Sequence, residues 1–195
     1  MRDRLSLSQF LLSFLLFTLV FIIPLSINHA APSATENREV SYTRTEFIKK
    51  VAPTIQKVAK YYGIRPSVVI AQAVLESNYG RYLLATKYYN LFAVESKSAG
   101  SAITLPYQTY INGNWQTSET KFVIYRSWDE SIYSYFALLQ SCQLGNSTVY
   151  DQMIANPDYK KLAQVLQDTN FGSDPKYASK LVSIIEKNRL TDYDN

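Results

Sequence analysis

Apolar and polar positions change rhythm several times along this chain. A nearly continuous apolar stretch, Phe10 to Ile27, comes first. Beyond residue 40 the pattern turns amphipathic: Phe47, Val51, Ile55, Val58 and Tyr62 share one face of a helix that Thr43 and Glu46 open as a capping box. Pro53 is expected to bend that helix and Gly63 to end it. Pro66 opens a second helix whose apolar run predicts burial, with Asn78 to Gly80 as its stop. Tyr82 to Tyr88 predict a short third helix. Ile103 to Tyr110 and Trp115 to Tyr125 read as two strands around Asn112-Gly113, the strongest hairpin signal in the chain. Ser127 and Glu130 form another capping box, ahead of the stripe Ile132, Phe136 and Leu139. Tyr159 to Gln167 is helical by pattern, and Asp174-Pro175 is expected to cap a last helix to about Asn188. The predicted fold class is mainly α with one β-hairpin.

Position and charge add a destination. Arg2 and Arg4 precede the apolar stretch, whose length of about 18 residues is the lower limit for a bilayer span. Positive charge before it predicts export of the C-terminal domain. Residues 1–30 read as a signal-anchor or signal peptide, 31–41 as a linker and 42–195 as the domain. Asn28 or His29 would stand at the minus-three position of cleavage near Ala30, a poor small-x-small signal that favours a retained anchor. The expected location is the outer face of a bacterial envelope, with the membrane as a partner through the N-terminal segment.

Composition then removes whole chemistries. His29 is the one histidine and lies in the leader, so neither a Ser-His-Asp triad nor a Cys-His pair can form in the domain. Cys142 is the one cysteine, which excludes an intrachain disulfide and nearly excludes zinc; it reads as a buried thiol. No cofactor is expected. The net charge is +4, and +3 without Arg2, Asp3 and Arg4 (18 basic against 15 acidic residues). With no basic run or glycine-rich phosphate loop, nucleic acid is not an expected partner. Carboxylates and 16 tyrosines remain for hydrolytic chemistry.

Glu76 falls where the second helix ends. Unpaired carbonyls and apolar neighbours both disfavour ionisation there. A carboxyl kept protonated near neutral pH suits a general acid in glycoside hydrolysis. An exposed glutamate in a frayed last turn fits the spacing equally well.

Four segments, in order, carry a resemblance. They are Ala71-Gln-Ala-Val-Leu-Glu-Ser77 with Gly80; Asn90-Leu-Phe-Ala93; Phe122-Val-Ile-Tyr-Arg-Ser-Trp-Asp-Glu-Ser131; and Asp174-Pro-Lys-Tyr-Ala-Ser-Lys180. Together they resemble the bacterial peptidoglycan-hydrolysing glucosaminidases of glycoside hydrolase family 73, from about Tyr42 to Leu190. In the second segment Ala93 replaces the family's glycine. The resemblance implies a lysozyme-like helical domain that cleaves the β-1,4 bond after N-acetylglucosamine in peptidoglycan. It implies Glu76 as the acid and Tyr177 beside the reacting sugar, with Asn90, Phe92 and Tyr110 as substrate-binding residues.

One expected group is missing. Many members carry a second glutamate on the hairpin, where this chain has Thr109. A two-residue turn at Asn112-Gly113 pairs Tyr110 with Trp115, Thr109 with Gln116 and Pro106 with Glu119. Glu119 then shares the face of Tyr110, opposite to Thr109, and does not replace the missing carboxylate. Glu95 is another nearby acid, and its direction is not legible. An inverting route needs a base roughly 6.5–9.5 Å from the acid, and a retaining route needs a nucleophile at roughly 5–5.5 Å. A substrate-assisted route, through the sugar's own acetamido oxygen, needs neither and is favoured. A lytic transglycosylase or muramidase cleaving after N-acetylmuramic acid is one rival reading. A wall-binding module that has lost turnover is the other.

Overall fold

A computed structural model describes residues 6–18, 20, 31–97, 100–145, 148–169 and 171–195. The chain divides into two compact units, Met1–Ala31 and Pro32–Asn195. In the first, Ser6 caps helix α1 (Leu7–Phe17), accepting the Gln9 N–H while the Gln9 side chain accepts that of Ser6. All described α1 side chains are exposed, although leucine and phenylalanine dominate the helix. No helix among the described residues is long and apolar enough to cross a membrane. Most of the expected span beyond α1, and the cleavage sites near Ala30, lie outside the described residues.

The second unit is built around α3 (Pro66–Ser77), which follows α2 (Arg44–Tyr62). Six of its side chains, Val68, Val69, Ile70, Ala71, Ala73 and Val74, are at most 1% exposed. A helix apolar on every side must be enclosed. Among the described residues α3 packs chiefly against α2, α8 (Tyr177–Lys187) and the 3-10 turn Leu190–Tyr193, with the helix Tyr159–Asp168 also in contact. Its N-terminal cap comes from the far end of the chain. Asp194 accepts the Ser67 N–H at 2.8 Å and pairs with Arg65 at 2.9 Å, so the first turn is satisfied without a local cap.

Local signals place the flanking elements. Thr43 and Glu46 form both bonds of the capping box, and α2 ends at Gly63 with φ +71°. The helix passes through Pro53 uninterrupted, with no break at the bend expected there. After α4 (Leu83–Tyr88) come strands β1 (Ala102–Ile111) and β2 (Asn114–Val123). Their register is the predicted one, Ile111 facing Asn114 and Pro106 facing Glu119. Asn112 and Gly113 both have positive φ, +51° and +84°, as a type I′ turn demands. Helices α5 (Trp128–Gln140), α6 (Val149–Ala155) and α7 (Tyr159–Asp168) complete the set. The domain is mainly helical with one antiparallel hairpin, as the sequence predicts.

Other details differ from expectation. Helix α6 carries only two buried residues, Val149 and Met153, too few to show a period in sequence. Asp174 does not cap α8 directly: Lys176 holds that position, and Asp174 accepts the Lys176 N–H at 2.8 Å one turn earlier. Cys142 is exposed rather than buried, because the chain turns outward after α5 with φ +57° at that residue. The compact unit begins at Pro32, ahead of the boundary at Tyr42. Ala34 is fully buried with Leu83, Leu84, Leu105 and Phe122, and its N–H donates to the Pro106 carbonyl at 2.9 Å. Residues 32–38 therefore form a strap bonded to α4 and β1.

Candidate active site

Glu76 lies on the last turn of α3, and the backbone leaves sharply behind it. Asn78, Tyr79 and Gly80 all adopt left-handed φ, at +48°, +57° and +71°. Gly80 is required sterically as well: a Cβ there would stand 2.7 Å from both the Phe47 ring and the Tyr42 hydroxyl oxygen. This turn halts the helix with Glu76 facing a cleft of about 240 Å³. Thr35 of the strap, Tyr107, Gln108 and Trp115 of the hairpin, and Gly172 to Asp174 also line it, with Tyr177 and Lys180 of α8.

Burial pushes the Glu76 carboxyl up to about 7, against a hydrogen bond with Tyr177 and the charge of Lys180, both of which pull it down; Asp174 adds to the rise. The Tyr177 hydroxyl is itself held. Gln72, one helical turn before Glu76, donates Nε2–H to it at 3.4 Å, while the Gln72 Oε1 accepts the Tyr135 hydroxyl at 2.8 Å. Because Gln72 already donates into the Tyr177 oxygen, the phenolic proton is left to point at Glu76. Burial raises both phenols well above their ordinary value, so they remain protonated donors.

Asp174 is the other carboxylate of the cleft. Its ion pair with Lys180 and the Lys176 N–H hold it below the usual carboxylate range, against the opposing effect of burial. The cleft thus combines one carboxyl tuned to stay protonated with another tuned to stay ionised, the separation that acid–base assignments rest on. Thr109 and Glu119 are outside it, and Glu119 pairs with Pro106 as anticipated. Among the described residues no group of three or more His, Cys, Asp or Glu is placed to hold a metal ion.

The remaining expected site residues are not among those lining this cleft. Asn90 is 1% exposed and fully engaged: Nδ2 donates to the Val94 and Val123 carbonyls and Oδ1 accepts the Val94 N–H, each at 2.9 Å. Phe92 stacks on Tyr135 with ring centres 4.0 Å apart, supporting the ring that orients Gln72. Neither is among the residues lining the Glu76 cleft. Tyr110 stands at the rim, its ring edge-on to Trp115 at 5.4 Å and its N–H bonded to Ser173 Oγ. Sequence reasoning missed Gln72, Tyr135, Asp174 and Lys180 as parts of the site. Gln72, Asp174 and Lys180 lie within the family-like segments; the partners of Gln72 are distant in the chain, whereas Asp174 and Lys180 pair with each other inside one segment.

A family model described as Mannosyl-glycoprotein endo-beta-N-acetylglucosaminidase matches residues 52–190. Exo-glucosaminidase LytG of Bacillus subtilis (strain 168) is 32% identical over 188 residues, 92% of this chain and 67% of that protein. A probable N-acetylmuramidase of Lactococcus lactis subsp. lactis (strain IL1403) is 34% identical over 76% of this chain. The chain spans only 34% of that relative's length. In structure, the catalytic domain of the autolysin Auto from Listeria monocytogenes aligns over 99% of this chain and all of that domain, with a TM-score of 0.66 at 27% identity. The N-acetylmuramoyl-L-alanine amidase from Staphylococcus aureus aligns over 87% of this chain and 47% of its own, with a TM-score of 0.73 at 31% identity. The chain belongs to the glucosaminidase family and is a glycoside hydrolase.

Proposed function

We propose that this enzyme hydrolyses the β-1,4 bond after N-acetylglucosamine in peptidoglycan glycan strands, with Glu76 as the general acid. The observation that carries the proposal is the state of Glu76, raised to about 7 in a cleft that also holds Tyr177. In its protonated form Glu76 gives its proton to the glycosidic oxygen as the bond breaks. Tyr177 holds the carboxyl in place and stabilises the carboxylate left behind. Positive charge develops at the anomeric carbon, and the ionised Asp174, paired with Lys180, faces the same cleft. The substrate-assisted route remains the favoured one: the acetamido oxygen attacks the anomeric carbon, and water then opens the cyclic intermediate. Trp115 and Tyr110 provide a stacking surface at the rim, and Asn90 and Phe92 act on substrate through the loop and ring they hold.

A second reading draws support from the Lactococcus relatives, whose name is N-acetylmuramidase. The two readings differ in the sugar left at the reducing end. Digests of purified peptidoglycan, reduced with borohydride and read by mass spectrometry, should end in reduced N-acetylglucosamine with the wild type and show no cleavage with Glu76→Gln. Reduced muramic acid would support the second reading, and anhydro ends a transglycosylase. Intact glycan with binding retained would mark a wall-binding module.

The proposal extends to location. The apolar stretch from Phe10 to Ile27 and the apolar, exposed α1 support an N-terminal membrane anchor that holds the domain outside the cell. Full-length protein should stay with membranes through carbonate washing while residues 32–195 are released. Equal release of both would contradict the anchor.

A further inference from the structure

A hairpin strand with no neighbour on its outer side turns the N–H and C=O of every second residue outward. The register settles which residues these are in β1. Ile111 and Asn114 flank the turn and exchange both main-chain bonds, as do Thr109 with Gln116 and Tyr107 with Ser118. Pro106, Gln108 and Tyr110 are left with main-chain groups on the free edge. Pro106 fits there because no ladder bond needs its missing N–H.

The edge is closed at both ends. The Pro106 carbonyl accepts the Ala34 N–H at 2.9 Å, and the Tyr110 N–H donates to Ser173 Oγ at 3.1 Å. Between them, the Gln108 N–H and C=O have no hydrogen-bond partner among the described residues. Thr35 and Ser173, beside the two closing bonds, line the same cleft as Gln108, Glu76 and Tyr177. The open position faces the catalytic cleft.

Amide geometry determines what can fill it. In an antiparallel pair the N–H and C=O of one residue meet the C=O and N–H of one facing residue, which belong to two successive peptide groups. A sugar acetamido group is a single trans amide whose N–H and C=O point in opposite directions, so it satisfies one of the two at a time. An extended peptide satisfies both. We propose that Gln108 is a one-residue main-chain dock for the peptide carried by the glycan strand, so that the enzyme reads the peptide beside the bond it cleaves. The proposal rests on the peptidoglycan reading above. A main-chain dock tolerates variation in the peptide's side chains, because it reads only backbone.

The test compares the full-length enzyme on peptide-bearing glycan strands and on the same strands stripped of peptide by an amidase. Gln108→Pro removes the docking N–H at an edge position where proline costs no ladder bond. The ratio of kcat/KM for peptide-bearing over stripped strands should fall about tenfold relative to wild type, the loss expected for one hydrogen bond. An unchanged ratio overturns the dock. Should Gln108→Pro fail to fold, hydrogen exchange at the Gln108 amide in Glu76→Gln decides the matter. Peptide-bearing strands should slow exchange at least tenfold and stripped strands should not. Equal slowing by both would overturn the peptide in favour of a sugar amide, and no slowing by either would overturn the dock. A wild type inactive on both strands would instead sink the peptidoglycan reading itself.

Discussion

Glu76 is held near its proton by burial, and that has two measurable consequences. A general acid must be protonated, so kcat should fall as the pH rises through about 7. Tyr177→Phe removes a hydrogen bond that favours the carboxylate, so the falling limb should move to higher pH while kcat drops. A limb that stays in place would mean that Tyr177 does not touch the acid in solution. Stability depends on the same proton. The folded value of about 7 lies above the ordinary 4.5, so the stabilising contribution is complete below the ordinary value and is lost as the pH rises through about 7. From about pH 4 to about pH 8 wild type should lose of the order of 3 kcal/mol relative to Glu76→Gln, measured by denaturant unfolding. At this scale the sequence was legible where chemistry and position coincide: Glu76 at a helix end, and Tyr177 through the resemblance. Gln72 and Tyr135 were illegible because what they do depends on partners 105 and 63 residues away.

Elements were most legible where local chemistry alone sets geometry. Asn112-Gly113 fixes a type I′ turn, and the turn fixes every pair of the ladder, so the fate of Glu119 followed from counting. The strap at 32–38 was illegible because its order comes from single bonds to α4 and β1 and not from any periodic pattern. Ala93 shows a residue choice set against its element. It stands at φ +50°, where the related pattern has glycine, and an L side chain there costs about 1 kcal/mol. Ala93→Gly should therefore stabilise the domain by up to about 1 kcal/mol in thermal or chemical unfolding. Gly172 has the opposite constraint. A Cβ there would lie 2.4 Å from the Tyr177 ring, and the ring cannot move without leaving Glu76. Gly172→Ala should lower kcat by at least about tenfold, with KM less affected, since it disturbs the acid more than the binding surface. Unchanged kcat would show that the ring is not needed where it stands.

Across the whole molecule, the cleft is assembled from segments far apart in the chain: the strap, the end of α3, the hairpin and the start of α8. The family match begins at residue 52, so the strap lies outside the matched region and still supplies a wall of the site. A protein of residues 42–195 loses the Ala34 bonds and uncovers Leu83, Leu84 and Leu105. It should be less stable than residues 32–195 by of the order of 3 kcal/mol and should cleave glycan more slowly. Equal melting temperatures would mean that the strap contributes nothing to the fold. Burial within this cleft raises the Glu76 carboxyl to about 7 against the opposing pull of Tyr177 and Lys180. The most direct test is a carbon-13 NMR titration of the Glu76 carboxyl in the domain of residues 32–195. A midpoint near 7 that rises in Tyr177→Phe is the expected result. A midpoint near the ordinary 4.5, unmoved by that substitution, would contradict the assignment of Glu76 as the acid.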